Sequence, residues 1–186
     1  PYLAVANTRD SESSFNVNSK VFRWDGATFV QFQTIPTNGA RDWEAFVVDG
    51  TPYLAVANTR DSESSFNVNS KVFRWDGATF VQFQTIPTAG ARDWEAFVVD
   101  GTPYLAVANN NDGSSFNMNS KVFRWDGATF VESQSIPTSC ANDWESFVVD
   151  GTPYLAVANS YDGSSSRINS KVFRWDGATF VESQSI

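Results

Sequence analysis

At 186 residues and 41% apolar content the chain can build one domain core or two small ones. A formal charge of −8 with no histidine leaves little to neutralise phosphates, which argues against nucleic acid or an anionic membrane surface as partner. The single cysteine, Cys140, excludes an internal disulfide framework and a cysteine-based zinc cluster, and no stretch reaches the roughly 20 apolar residues of a membrane helix.

Repetition dominates everything else. Copies of one segment begin at Pro1, Pro52, Pro103 and Pro153, a spacing of 51, 51 and 50 residues. Each copy alone has too little apolar surface to fold, so the period defines a structural unit that is stable only when stacked on its neighbours. Pro1 falls in the middle of a unit, which leads us to expect sequence ahead of it.

In chain order, Tyr2 to Ala6 is a short apolar run suited to a strand, followed by a polar loop from Thr8 to Ser19. Lys20 to Trp24 turns at Asp25-Gly26 and returns through Thr28 to Gln33, a hairpin signal that Ile35-Pro36 is expected to close. After a connection at Asn38 to Arg41, Trp43 to Val48 leads through Asp49-Gly50 into the next apolar run, Tyr53 to Ala57. No segment has helical periodicity.

The fold class expected is therefore all-β: a β-propeller built of four-stranded antiparallel blades of about 50 residues. A partial blade spans 1–36 and lacks its inner strand, and complete blades span 42–87, 93–137 and 143–186. Fifteen strands do not close a symmetric ring, so the array is expected to belong to a larger propeller or to one completed by a second copy.

Topology puts both Asp-Gly turns of a blade on one face and the longer connections on the other. Differences between copies collect in those longer connections: Thr8-Arg9-Asp10-Ser11-Glu12 becomes Asn110-Asn111-Asp112-Gly113 and then Ser160-Tyr161-Asp162-Gly163. A constant scaffold with variable loops on one face reads as a recognition surface. Its candidate ligand-binding residues are Arg9, Asp10, Glu12, Arg60, Asp61, Asn111, Asp112, Tyr161 and Asp162.

Asp42, Asp93 and Asp143 recur at the start of each inner strand, where one carboxylate per blade would ring the channel with oxygen ligands suited to calcium. The competing reading is that these aspartates cap backbone amides. Trp24, Trp75, Trp125 and Trp175 either pack between blades or stack on a sugar; packing is the simpler assignment. Catalysis finds no support in the residues: without histidine there is no Ser-His or Cys-His system, and the carboxylate pairs recur in similar settings, whereas acid and base roles need environments that separate two pKa values.

The combination Asp-Trp-Glu-Ala-Phe-Val-Val-Asp-Gly, Tyr-Leu-Ala-Val-Ala-Asn, Ser-Lys-Val-Phe-Arg-Trp-Asp-Gly and Phe-Val-Gln-Phe-Gln-Thr-Ile-Pro-Thr resembles the epilepsy-associated repeat, also called EAR or EPTP. The resemblance implies a propeller, commonly seven-bladed, in secreted or cell-surface proteins that bind other proteins. The expectation is thus a non-enzymatic extracellular interaction module with a protein partner, no nucleic acid and no membrane insertion. Two alternatives stand beside it: a multivalent, lectin-like propeller that binds glycans, and a structural repeat protein that self-assembles into homo-oligomers.

Overall fold

In a computed structural model, residues 1–186 form fifteen β-strands and no helix. The strands fall into four antiparallel sheets, each running in strict chain order. The first contains β1 (Tyr2–Val5), β2 (Asn16–Trp24) and β3 (Phe29–Asn38); the second β4 (Ala40–Val48), β5 (Thr51–Asn58), β6 (Asn69–Trp75) and β7 (Phe80–Pro87). The third contains β8 (Ala91–Val99), β9 (Thr102–Asn109), β10 (Asn117–Trp125) and β11 (Phe130–Ser139); the fourth β12 (Ala141–Val149), β13 (Thr152–Asn159), β14 (Lys171–Trp175) and β15 (Phe180–Ser185). These sheets are the blades of a propeller, stacked face to face.

Local chemistry explains each turn. Between β4 and β5, Asp49 and Gly50 both have positive φ (48° and 77°), the mirror-image turn whose twist suits a two-residue hairpin. Asp25-Gly26 works differently. The Asp25 carboxylate accepts the amides of Ala27 and Thr28, both at 2.8 Å, and closes a four-residue loop. Those same amides hold the Asp25 carboxyl below its ordinary pKa.

Two expectations about boundaries need correction. Pro36 does not end its strand: it lies inside β3 opposite Asn18, on an outermost strand where a missing N–H removes no ladder bond. The connection expected at Asn38 to Arg41 shrinks to Gly39 alone, at φ +56°, and Arg41 becomes the extra residue of a bulge in β4.

The core lies between blades. Residues of β5 alternate: Tyr53, Ala55 and Ala57 pack on the third blade with Trp94, Leu105 and Val107, while Leu54 and Val56 pack on the first with Val21 and Ile35. Trp75 sits between Tyr2 and Phe32 of the preceding blade, and Trp125 between Tyr53 and Phe83. Trp75, Trp125 and Trp175 are thus packing residues between blades, while Trp24 is exposed and packs on Phe29 of its own hairpin.

Candidate loop-face recognition surface

The loop face rests on a polar network that is complete in the second and third blades and partly repeated in the first and fourth. In the second blade the Asn58 amide N–H donates to Ser70 Oγ, and Asn58 Nδ2 donates to the Asn69 carbonyl. Asn58 Oδ1 accepts the Asn38 N–H at 3.0 Å, and Ser70 Oγ lies 2.9 Å from Thr88 Oγ1. Asn58 and Ser70 are fully buried, so the loop between β5 and β6 leaves and re-enters the sheet at fixed points. Asn109, Ser120 and Thr138 repeat the arrangement.

Each loop also reaches the following blade. Thr8 Oγ1 donates to the Ala40 carbonyl at 2.8 Å, Thr59 Oγ1 to Ala91 at 2.6 Å, and Asn110 Nδ2 to Ala141 at 3.1 Å. Loops of adjacent blades then touch one another. Arg9 pairs with Glu63 at 2.9 Å, the Arg60 guanidinium lies over the rings of Phe15 and Phe66, and Asn117 Nδ2 donates to the Asp162 carbonyl. The loops of the first and second blades, and those of the third and fourth, are thereby tied together.

Within it, the residues singled out from sequence play different parts. Glu12 and Asp61 are exposed, and Arg9 is exposed at its salt bridge. Asp10 accepts the Glu12 and Ser14 amides, Asp112 those of Ser114 and Ser115, and Asp162 those of Ser164 and Ser165, so these carboxylates shape their own loops. The amides hold Asp112 and Asp162 below the usual carboxyl range. Asn111 is buried and bonds to Asn110 and Gly113. Tyr161 meets the Phe116 ring edge-to-face at 4.9 Å and donates its hydroxyl to the Gly163 carbonyl, bracing the third blade against the fourth.

The carboxylates at the channel are engaged in a regular pattern. Asp42 Oδ2 accepts the Trp94 N–H at 3.2 Å and Asp93 Oδ2 the Trp144 N–H at 2.9 Å. Glu44 and Glu95 likewise accept from Ala96 and Ser146. Each inner strand thus satisfies the free edge amides of the next. Burial raises Asp42, lifts Glu44 to about 7 and Asp93 to about 8, with neighbouring carboxylates adding to each shift. No group of three or more His, Cys, Asp or Glu side chains is placed to hold a metal ion.

Sequence reasoning passed over Arg41 and Arg92, the bulge residues of β4 and β8. Arg92 is half-buried, and desolvation followed by the nearby Arg41 guanidinium disfavours its charged form. Between the second and third blades the same face opens into a polar groove of about 580 Å³ that includes Asn69, Thr88, Asp112, Asn119 and Lys121.

Comparison with known proteins agrees with this architecture. An α-L-arabinofuranosidase structure from Lactobacillus brevis superposes with a TM-score of 0.60 at 11% identity, covering 99% of this chain and 69% of that one. A GH43_1 enzyme from Xanthomonas citri gives 0.53 at 17% identity, over 79% of this chain and 54% of that one. At such identities the likeness is one of fold.

By sequence, the human thrombospondin-type laminin G domain and EAR repeat-containing protein is 38% identical over 114 residues, 60% of this chain and 16% of that protein. The mouse protein of that name is 49% identical over 79 residues, covering 42% and 12%. Leucine-rich repeat LGI family member 3 of Macaca fascicularis is 32% identical over 77 residues, covering 40% and 13%. The chain therefore spans less than a fifth of these relatives. The EPTP domain model matches residues 28–76, 79–126 and 129–176, each match beginning just before an outer strand and ending just after the third strand of the next sheet. With most of its length matched in three successive repeats, the chain belongs to the EPTP repeat family of β-propellers.

Proposed function

We propose that the chain is part of an extracellular, non-enzymatic protein-interaction propeller that presents its loop face to a cell-surface or secreted protein. One observation carries this reading: outside the outer strand, most residues that differ between otherwise near-identical copies lie in loops that interlock across blades, through Arg9–Glu63 and Asn117–Asp162, above a recurring polar frame. A rigid base under a variable surface limits the ordering cost of binding. Membership of a repeat family found in EAR repeat-containing and LGI proteins supports it.

The end blades support a ring with further blades. Leu3 and Val5 of the first blade and Ala158 of the fourth are exposed, whereas their counterparts inside the array, such as Leu54, Val56 and Ala57, are buried. The ring would then be completed by additional repeats.

The test is a binding screen of the chain against a panel of extracellular ectodomains, run beside a triple variant, Arg9→Ala, Glu12→Ala and Asp61→Ala. The expected result is a protein ligand whose binding weakens about tenfold or more in the variant, while the unfolding temperature changes little. Glycan-array hits that free sugar competes away, with no ectodomain bound, would replace this reading with a lectin.

A further inference from the structure

At the seam between the third and fourth blades, on the side of their Asp-Gly turns, lies a cavity of about 420 Å³ whose lining includes Tyr104, Arg124, Ser133, Trp175 and Gly177. That volume falls in the roughly 300–1,000 Å³ range of small-molecule sites. Both blades are complete four-stranded sheets, so the cavity belongs to the interior of the array.

The other seams show what is missing from this one. Between the second and third blades, Phe83 sets its ring edge-to-face on Tyr53 (5.4 Å, 80°) and tilted over Trp125 (6.0 Å, 35°). Phe32 does the same between Tyr2 (5.3 Å, 62°) and Trp75 (6.0 Å, 36°). Each of these phenylalanines is the extra residue of a bulge in its outer hairpin. The third blade keeps the bulge, but the residue there is Ser133, whose hydroxyl turns back to donate to the Val122 carbonyl at 3.1 Å.

The walls of the seam have not closed over the lost ring. Tyr104 and Trp175 stand 6.0 Å apart at 69°, against 6.2 Å and 66° for Tyr53 and Trp125. A slot already held in shape imposes little ordering cost on whatever enters it. Charge adds a second requirement. Arg124 is exposed and pairs with no carboxylate, whereas Glu132, at the same cavity, is engaged by Lys121 at 2.8 Å. In the first blade the equivalent guanidinium, Arg23, lies 5.4 Å over the Phe32 ring, so a ring in the third-blade slot has a cation beside it.

We propose that this cavity binds a small aromatic carboxylate. Its phenyl ring takes the place that Phe83 fills one seam earlier, between Tyr104 and Trp175, and a carboxylate on a short chain pairs with Arg124. The face of tight turns, uniform in the rest of the array, thereby gains a ligand site through the exchange of one side chain.

The experiment is a titration of the isotopically labelled chain with 3-phenylpropanoate, following the Trp175 indole N–H by NMR, beside 3-cyclohexylpropanoate and 3-phenylpropanamide. Expected is a saturable shift of Trp175, with Trp125 unmoved, at one ligand per chain and a Kd of about 1 mM or tighter. The cyclohexyl and amide analogues should each bind about threefold or more weakly. Ser133→Phe refills the slot with the residue the chain already uses there, and should abolish the shift while leaving the unfolding temperature unchanged or higher. Phe83→Ser should open a second site, seen at Trp125. No saturable shift at Trp175, binding undiminished in Ser133→Phe, or equal binding of either analogue overturns the assignment. A folded Phe83→Ser chain that still takes a single equivalent does so too. None of these results bears on the loop face.

Discussion

Gln33 and Phe80 exchange two hydrogen bonds across a blade boundary: Gln33 Nε2 donates to the Phe80 carbonyl at 2.7 Å, and Gln33 Oε1 accepts the Phe80 N–H at 3.0 Å. Gln84 does the same with Phe130, and Gln134 with Phe180. A side-chain amide thus imitates a strand for one residue. The neighbours of this glutamine change between copies, from Phe32 and Thr34 to Ser133 and Ser135, while the glutamine itself stays.

Replacing Gln84 with Ala should therefore cost about 1–3 kcal/mol, because the backbone groups of Phe130 lose both partners in a partly buried seam. Denaturant unfolding measures it. Gln82→Ala, exposed and bonded only to Thr85 at 3.2 Å, should cost well under half as much.

The channel carboxylates set a pH dependence. Glu44 and Asp93 have folded pKa values of about 7 and about 8, raised first by burial above their ordinary values of 4.5 and 3.8. A raised pKa means that the protonated form is favoured by folding. Their stabilising contribution is complete below about pH 4 and is lost as pH rises through 7 to 8. The loop carboxyls Asp25, Asp76 and Asp112 are lowered by backbone amides and act oppositely, losing their contribution as pH falls below their ordinary value of 3.8. Unfolding temperature should therefore decline from pH 5 to pH 8, and Asp93→Asn should flatten that decline. A profile unchanged by the substitution would refute the assignment.

Asn109→Ala removes donors and an acceptor from a buried site. It should destabilise the chain by about 1–3 kcal/mol and raise amide exchange in the loop between β9 and β10, because the Ala89 N–H and Asn119 carbonyl lose their partner. Asp61→Ala, on an exposed loop, should leave exchange elsewhere unaltered.

Gly90 lies at φ +55°, and a Cβ there would come within 2.5 Å of the Asn111 carbonyl oxygen. Gly90→Ala should therefore cost about 1–3 kcal/mol. The fourth blade carries Cys140 in the equivalent turn at φ 48°, where the loop following Asn159 differs in sequence and Ser160 Oγ donates to the Cys140 carbonyl. Introducing the fourth blade's loop together with Gly90→Cys should recover part of the loss, which thermal unfolding of the two variants decides.

The strands and hairpins were legible because period-two patterns and Asp-Gly turns are local signals. What escaped was relational. Asn58, Ser70 and Thr88 read as loop-flanking polar residues, yet three-dimensional closure makes them a buried network. Arg41 looked like part of a connection, since a bulge becomes visible only against its partner strand. Asp42 was noticed for its recurrence, but that it and Glu44 receive amides from the neighbouring inner strand could not be read from one repeat. Tyr161 stood among the candidate ligand-binding residues; its role beside Phe116 depends on the adjacent blade.

The seams at Asp42–Trp94 and Asp93–Trp144, and at Gln33–Phe80 and Gln84–Phe130, are chemically the same joint. At these two seams any unit can consequently follow any other. Unequal recombination between such copies would insert or delete whole units of 50 or 51 residues without creating a mismatched junction. Copy number and loop sequence can then drift independently, as happens with interchangeable parts.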